Sequence, residues 1–245
     1  MSRLVHVPEL AKLMHLQYGF FDDFQGFLTA SSTDKYTVVT AVDGTVLQID
    51  SRQGGVAIKS AAASAAGDED CYLVREAETF LVVASKPLAF GSLVQATEDD
   101  VNQNNLIVGL TDAAAADLLV SAGAGPKTSG STLAFYKVDG GLNWWVHASL
   151  STTQTKVELT AANSLDKTAH VGSGTAKQLL QIEAIPKNST QADIIYYIDG
   201  VAVYKITDFV YTSMTDMQAV VGCKDGDAGD ETTINCYGLY CYQLR

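Results

Sequence analysis

The residues best suited to chemistry in this chain are its carboxylates, four histidines and four cysteines. Glycoside hydrolysis needs two carboxylates held roughly 5 to 9.5 Å apart. On β-sandwich glycosidases they come from one strand, as E-x-D-x-E or E-x-D-x-x-E, and no segment has that pattern. "REAE" puts Glu76 and Glu78 on one face of a strand but lacks the intervening Asp, and "TEDD" at 97 to 100 reads as a solvated loop. His6, His15, His147 and His170 stand singly, without the spacing of a metal site. His147 follows Trp144-Trp145-Val146 in a strand and reads as a packed or surface residue rather than a base. Neither a GxSxG elbow nor a Cys-His pair with local context occurs. "GAGPKTSGS" at 123 to 131 fails as a phosphate loop, because Pro126 separates Gly125 from Lys127 and no helix follows.

The sharpest acidic cluster is "KDGDAGDE", 224 to 231, where Asp225, Asp227 and Asp230 could offer hard oxygen ligands to calcium. It misses the EF-hand order of acids and glycine, and an acidic loop between two strands is the simpler account. No metal and no cofactor is therefore assigned. Trp144 and Trp145 are neighbours on a strand, so one faces in and the other out. An outward Trp could stack on a sugar ring or fill a pocket on a partner subunit.

The elements that would carry these residues are mostly strands. Residues 8 to 18, "PELAKLMHLQY", are the best helical segment, with Pro8 in the first turn and Leu10, Leu13, Met14 and Tyr18 on one stripe. The aromatic cluster "GFFDDFQGF", which includes Phe20 and Phe21, follows it. Residues 1 to 30 read as an arm that docks on something, or else as a helix capping the domain's own core. From residue 36 onward strand follows strand, with Asp-Gly hairpins expected about Asp43-Gly44, Asp139-Gly140 and Asp199-Gly200. One short helix is expected within 111 to 120, capped by Thr111 or Asp112. A dozen or more short strands at regular spacing predict an all-β, two-sheet antiparallel sandwich over 31 to 245.

The hairpin "IIYYIDGVAVYKI", 194 to 206, has no plainly wet face. A two-residue turn sets Tyr196 opposite Val203, Ile194 opposite Lys205 and Ile195 opposite Tyr204. One face should be core and the other should lie under a loop, the arm or a neighbouring subunit, which makes Tyr196 and Tyr204 candidate contacts. Net charge is −12, with no basic block, so nucleic acid and anionic membranes are not expected partners. Without a signal peptide at the start, Cys71, Cys223, Cys236 and Cys241 read as reduced, mostly buried thiols. Cys236 and Cys241 are an odd number of residues apart, which on a regular strand sets them on opposite faces.

Three stretches carry a resemblance: "NLIVGLTDAAAADLLVSAGAGPKTSGSTLAFYKVDGGLNWW", "ADIIYYIDGVAVYKI" and the closing "GLYCYQLR". Together, over roughly residues 70 to 245, they resemble the concanavalin-like jelly-roll proteins that decorate or cement the capsids of tailed bacteriophages. The resemblance implies a non-enzymatic structural virion protein, assembled in the host bacterial cytoplasm and carried on the outer capsid surface. Its partner would be the phage major capsid protein, bound through Leu10, Leu13, Met14, Tyr18, Phe20 and Phe21 and one sheet edge. Such clamps are symmetric oligomers, here a homotrimer ahead of a dimer. The alternative is a lectin-like, carbohydrate-binding module of a virion, with Trp144, Trp145, Tyr196 and Tyr204 as subunit or glycan contacts.

Overall fold

The computed structural model describes residues 17–25, 27, 35–40, 44–49, 54–61, 69–98, 104–112, 114–115, 118–120, 125–127, 129–172, 174, 176–226 and 231–244. Two antiparallel sheets dominate it. The first takes β1 (Gln17–Asp22), β3 (Thr45–Gln48), β4 (Val56–Lys59), β6 (Leu88–Glu98), β13 (Gln178–Pro186), β14 (Gln191–Ile198), β15 (Val201–Val210) and β17 (Thr232–Leu244). Its order is β15-β14-β13-β6-β17-β4-β3, with β1 also pairing to β17. The second takes β2 (Tyr36–Thr40), β5 (Asp70–Phe80), β7 (Asn104–Thr111), β10 (Thr132–Lys137), β11 (Trp145–Leu150), β12 (Thr153–Glu158) and β16 (Met217–Asp225). Its order is β12-β11-β10-β7-β16-β5-β2. A two-stranded ribbon of β8 (Leu119–Val120) and β9 (Gly125–Pro126) lies outside both.

Alternation along the strands fills the space between the sheets. Leu180, Ile182, Ile194, Tyr196, Ile234 and Leu239 point inward from the first sheet, and Leu73, Val108, Leu133, Phe135, Val146 and Val221 from the second. The aromatic centre is Phe135, with Tyr196 edge-on at 5.3 Å and Trp144 edge-on at 6.4 Å. Among the polar links between the sheets, two lie in this dry layer. The Tyr196 hydroxyl donates to the His147 carbonyl at 2.6 Å, joining β14 to β11. The Lys137 ammonium on β10 pairs with the Glu98 carboxylate on β6 at 2.6 Å and also donates to the Asn104 carbonyl.

Several sequence expectations need correcting. No helix occurs among the described residues. Residues 8–16 lie outside them, and Tyr18 sits in β1, a strand of the first sheet. Within 111–120, Thr111 stays in β7 opposite Thr132 instead of capping a helix. Leu118 and Leu119 pack with Tyr72, Val74, Ile107, Ala134 and Val220 on the outer face of the second sheet. That apolar surface needs a cover, and burying it competes successfully with a short helix's weak intrinsic preference. The pair about Asp43-Gly44 is not a hairpin either: β2 joins β5 in one sheet and β3 joins β4 in the other.

The hairpins about Asp139-Gly140 and Asp199-Gly200 form as expected. In the second, Asp199 (φ 52°) and Gly200 (φ 81°) both take the left-handed conformation that a type I′ turn requires. Its register changes beyond Tyr197: Tyr196 opposes Tyr204, and Ile195 opposes Lys205. The extra residue, Val203, is accommodated as a bulge and is fully buried.

A similar irregularity in β17, between Cys236 and Gly238, reverses the expected phase of the cysteines. Cys236 and Cys241 both end in the core, where all four thiols are free and buried. Burial pushes the thiols of Cys71 and Cys236 up to about 12.

The buried Lys137–Glu98 pair gives the first prediction. Lys137→Met leaves the Glu98 carboxylate inside without its counter-ion, which should cost about 3–5 kcal/mol in urea unfolding. Replacing both residues with apolar ones should recover most of that loss.

Candidate functional site

The two sheets treat their outer faces differently. On the second sheet, β7 and β10 are buried at every residue, so both of their faces are covered. On the first sheet, the outward residues of β13, β14 and β17 are half-buried rather than covered. Cross-strand register sets them in two rows. One runs Phe21, Tyr240, Gly91, Gln181, Tyr197, Ala202. The other runs Gly19, Tyr242, Ala89, Glu183, Ile195, Lys205.

Small residues in those rows let the rings lie down. A Cβ on Gly91 would meet the Tyr240 ring at 2.3 Å, so the ring occupies the space a side chain would need. The Tyr240 hydroxyl accepts from Gln181 Nε2 at 2.7 Å. The Tyr242 ring lies beside it, centroids 5.8 Å apart and planes 28° from parallel. Across the sheet, the Tyr197 hydroxyl donates to Glu183 Oε2 at 2.8 Å. Burial, reinforced by that carboxylate, pushes the Tyr197 phenol up to about 12. Farther along β17 the Tyr237 hydroxyl donates to Gln95, and the Lys177 ammonium sits 3.4 Å from the Tyr237 ring centroid.

The result is a platform of aromatic surface interleaved with an amide and a carboxylate. A saccharide matches it chemically, because a pyranose offers apolar C–H faces for the rings and hydroxyls that both donate and accept. At the rim, Lys205 bonds Asp193 at 2.7 Å and holds its carboxyl below the usual range. Lys187 pairs with Asp208 at 2.6 Å.

The residues singled out from the sequence scatter over the molecule. Leu10, Leu13 and Met14 lie outside the described residues, as do Asp227 and Asp230. Tyr18 packs on Phe80 at 5.4 Å, Phe20 is buried, and Phe21 is 55% exposed at the end of the Tyr240 row. Trp144 and Tyr196 are fully buried between the sheets, so as placed they cannot touch a glycan or another subunit. Trp144 instead donates its indole N–H to Gln178 at 2.9 Å. Tyr204 is half-buried and packs against the core. Trp145 faces outward on the second sheet, beside Tyr136. Asp225 is buried and accepts from the Ser60 hydroxyl, and the described residues contain no metal-binding cluster. Sequence reasoning missed Gln181, Glu183, Tyr240 and Tyr242. The signal for the two tyrosines was "YCYQ", in which they flank one inward cysteine.

No protein-family model matches the sequence, and no curated protein matches it. Solved structures do. The endo-1,3-beta-glucanase of Streptomyces sioyaensis superposes with a TM-score of 0.62 at 13% identity, covering 94% of this chain and 97% of that one. Lectin II from Ulex europaeus gives 0.59 at 11% identity, covering 93% and 99%. An endo-beta-1,4-glucuronan lyase from the fungus Trichoderma reesei gives 0.57 at 12% identity, covering 92% and 95%.

The fold is a jelly-roll sandwich. At these identities the likeness extends to the fold alone. It overturns one expectation, that the chain has no enzymatic function. Two of these three sandwiches are enzymes, so a missing E-x-D-x-E motif does not remove this chain from catalytic company.

One buried base has a measurable consequence. His147 is fully buried on β11, and burial, with Lys156 nearby, lowers its imidazole from 6.5 to about 3. Below pH 6.5 the unfolded chain therefore takes up a proton that the folded one refuses. Stability should fall by about 1.4 kcal/mol per pH unit as the pH drops from there. Urea titrations of His147→Phe should lack that slope between pH 6.5 and 5, above the range where carboxylates dominate.

Proposed function

We propose that this chain is a carbohydrate-binding jelly-roll protein that presents the outer face of its first sheet to a glycan. One observation carries the reading: Tyr240, Tyr242, Tyr197, Gln181 and Glu183 share a half-exposed face, with rings and polar groups interleaved. Tyr240 and Tyr242 supply the stacking surface, and Gln181 and Glu183 fix hydroxyl orientation. The fold neighbours lend support, since a lectin, a glucanase and a glucuronan lyase all share this sandwich.

Glycan-array and polysaccharide-affinity measurements test it. Binding should fall about tenfold or more in Tyr242→Ala, a loss of at least about 1.4 kcal/mol, and also in Glu183→Gln. Thermal unfolding of both variants should stay close to that of the parent. An array with no hits at high protein concentration overturns the reading. Incubating each bound polysaccharide with the protein and assaying chain cleavage then tells a lectin from an enzyme.

A second reading places the protein on a virion, as a decoration protein bound to a major capsid protein at the outer surface of a phage head. Residues 70 to 245 support it by their resemblance, and Phe21 supports it by its exposure on the strand that residues 1–16 lead into. A truncation should spare β1, because Phe20 and Phe24 belong to the core. Removing residues 2–15, or replacing Phe21 with Ser, should leave a folded protein that no longer decorates capsids. Full occupancy by both variants rejects this mode of attachment.

A further inference from the structure

We propose that the β11–β12 edge of the second sheet holds an oxyanion-binding site, built from Trp145, His147, Gln154 and Lys156 and separate from the tyrosine face. Alternation fixes their direction. Val146 and Ala148 lie in the core, so Trp145 and His147 point outward. His147 pairs in register with Lys156, and Gln154 stands one position along on the same face. The Tyr136 ring packs on both Trp145 and His147, at 5.7 and 5.9 Å.

Hydrogen bonding marks the cluster. Trp145 Nε1, Gln154 Nε2 and both ring nitrogens of His147 are buried without a hydrogen-bond partner. His147 itself is 0% exposed. An unsatisfied buried polar group costs about 1–3 kcal/mol, and native structures seldom collect several in one place. Three of these four nitrogens are donors. The indole and the amide nitrogen only donate, and an imidazole donates from at least one nitrogen. Lys156 adds an ammonium that already donates to the Pro126 carbonyl and is partly desolvated, which lowers its pKa. A carboxylate on the same face, Glu158 opposite Trp145, accepts from Asn143 at 2.9 Å.

The cluster is thus rich in donors and short of acceptors. A water molecule accepts only two hydrogen bonds and brings two donors of its own, so it cannot satisfy the set. A carboxylate, sulfate or phosphate oxyanion can, because its oxygens accept several bonds and donate none. β12 is the edge strand of its sheet, and Gln154 to Glu158 on it are half-exposed. On a chain of net charge −12, a row of donors on one face selects for an anion that the rest of the surface repels.

Calorimetric titration of the full chain with sulfate, phosphate, acetate and glucuronate at constant ionic strength tests the proposal, with the Trp145 indole N–H followed by NMR. At least one of these anions should bind at a single saturable site and move the indole proton. Lys156→Met and Gln154→Leu should each weaken that binding about tenfold, while Tyr242→Ala leaves it unchanged. Tighter binding of glucuronate than of acetate identifies a sugar-borne acid as the ligand. Equal or tighter binding of sulfate or phosphate identifies a free oxyanion. No saturable binding up to about 50 mM, or binding that neither edge variant alters, overturns the site. Retained anion binding in a protein that fails the glycan array would separate this site's fate from that of the tyrosine face.

Discussion

Every side chain in this molecule takes its direction from the two-residue period of its strand, and β17 shows how much hangs on that phase. It is thirteen residues long, pairs with β6 on one side and carries both β1 and β4 on the other. Ile234, Cys236, Leu239 and Cys241 face the core, while Tyr240 and Tyr242 face out. Without the irregularity at Cys236–Gly238, one half of the strand would turn its apolar residues to water. The bulge therefore sets the position of the tyrosines as much as it sets the core.

The same rule gives the sheets opposite characters. The outward positions of the second sheet include Tyr72, Val74, Ile107 and Val220, which are too apolar to stay wet, and Leu118 and Leu119 cover them. The outward positions of the first include Tyr, Gln, Glu, Lys and small residues, which tolerate water on one side. Polar groups also bridge the sheets. The Tyr196 hydroxyl and the Lys137 ammonium each find an oxygen on the opposite layer. Both fix the relative placement of the two sheets in a way that apolar contacts, being non-directional, do not.

Much of the fold was legible because short-range chemistry decided it. Asp199-Gly200 had to turn, Trp144 and Trp145 had to diverge, and the density of strands had to form two layers. The misreadings came from longer range. A bulge is a property of paired strands, so neither Val203 nor Cys236 betrays one in the sequence. Asp43-Gly44 carries the same local signal as Asp199-Gly200, but the strands around it find partners in different sheets. Residues 111–120 look helical until the apolar sheet face that claims Leu118 and Leu119 is known. The tyrosine platform was hidden for a similar reason: Gln181, Glu183, Tyr197 and Tyr240 come from three strands and meet only through register.

The bulged edge strand β15 also bears on how copies of this chain can meet. Its register slips twice against β14, Asp208 adopts a left-handed backbone (φ 57°), and Lys205 and Asp208 stand at its rim in ion pairs with Asp193 and Lys187. A strand bent and charged in this way is a poor template for a further strand from another molecule. The first sheet is thereby closed to endless growth at that border. Crowded copies are kept from fusing into a ribbon along it.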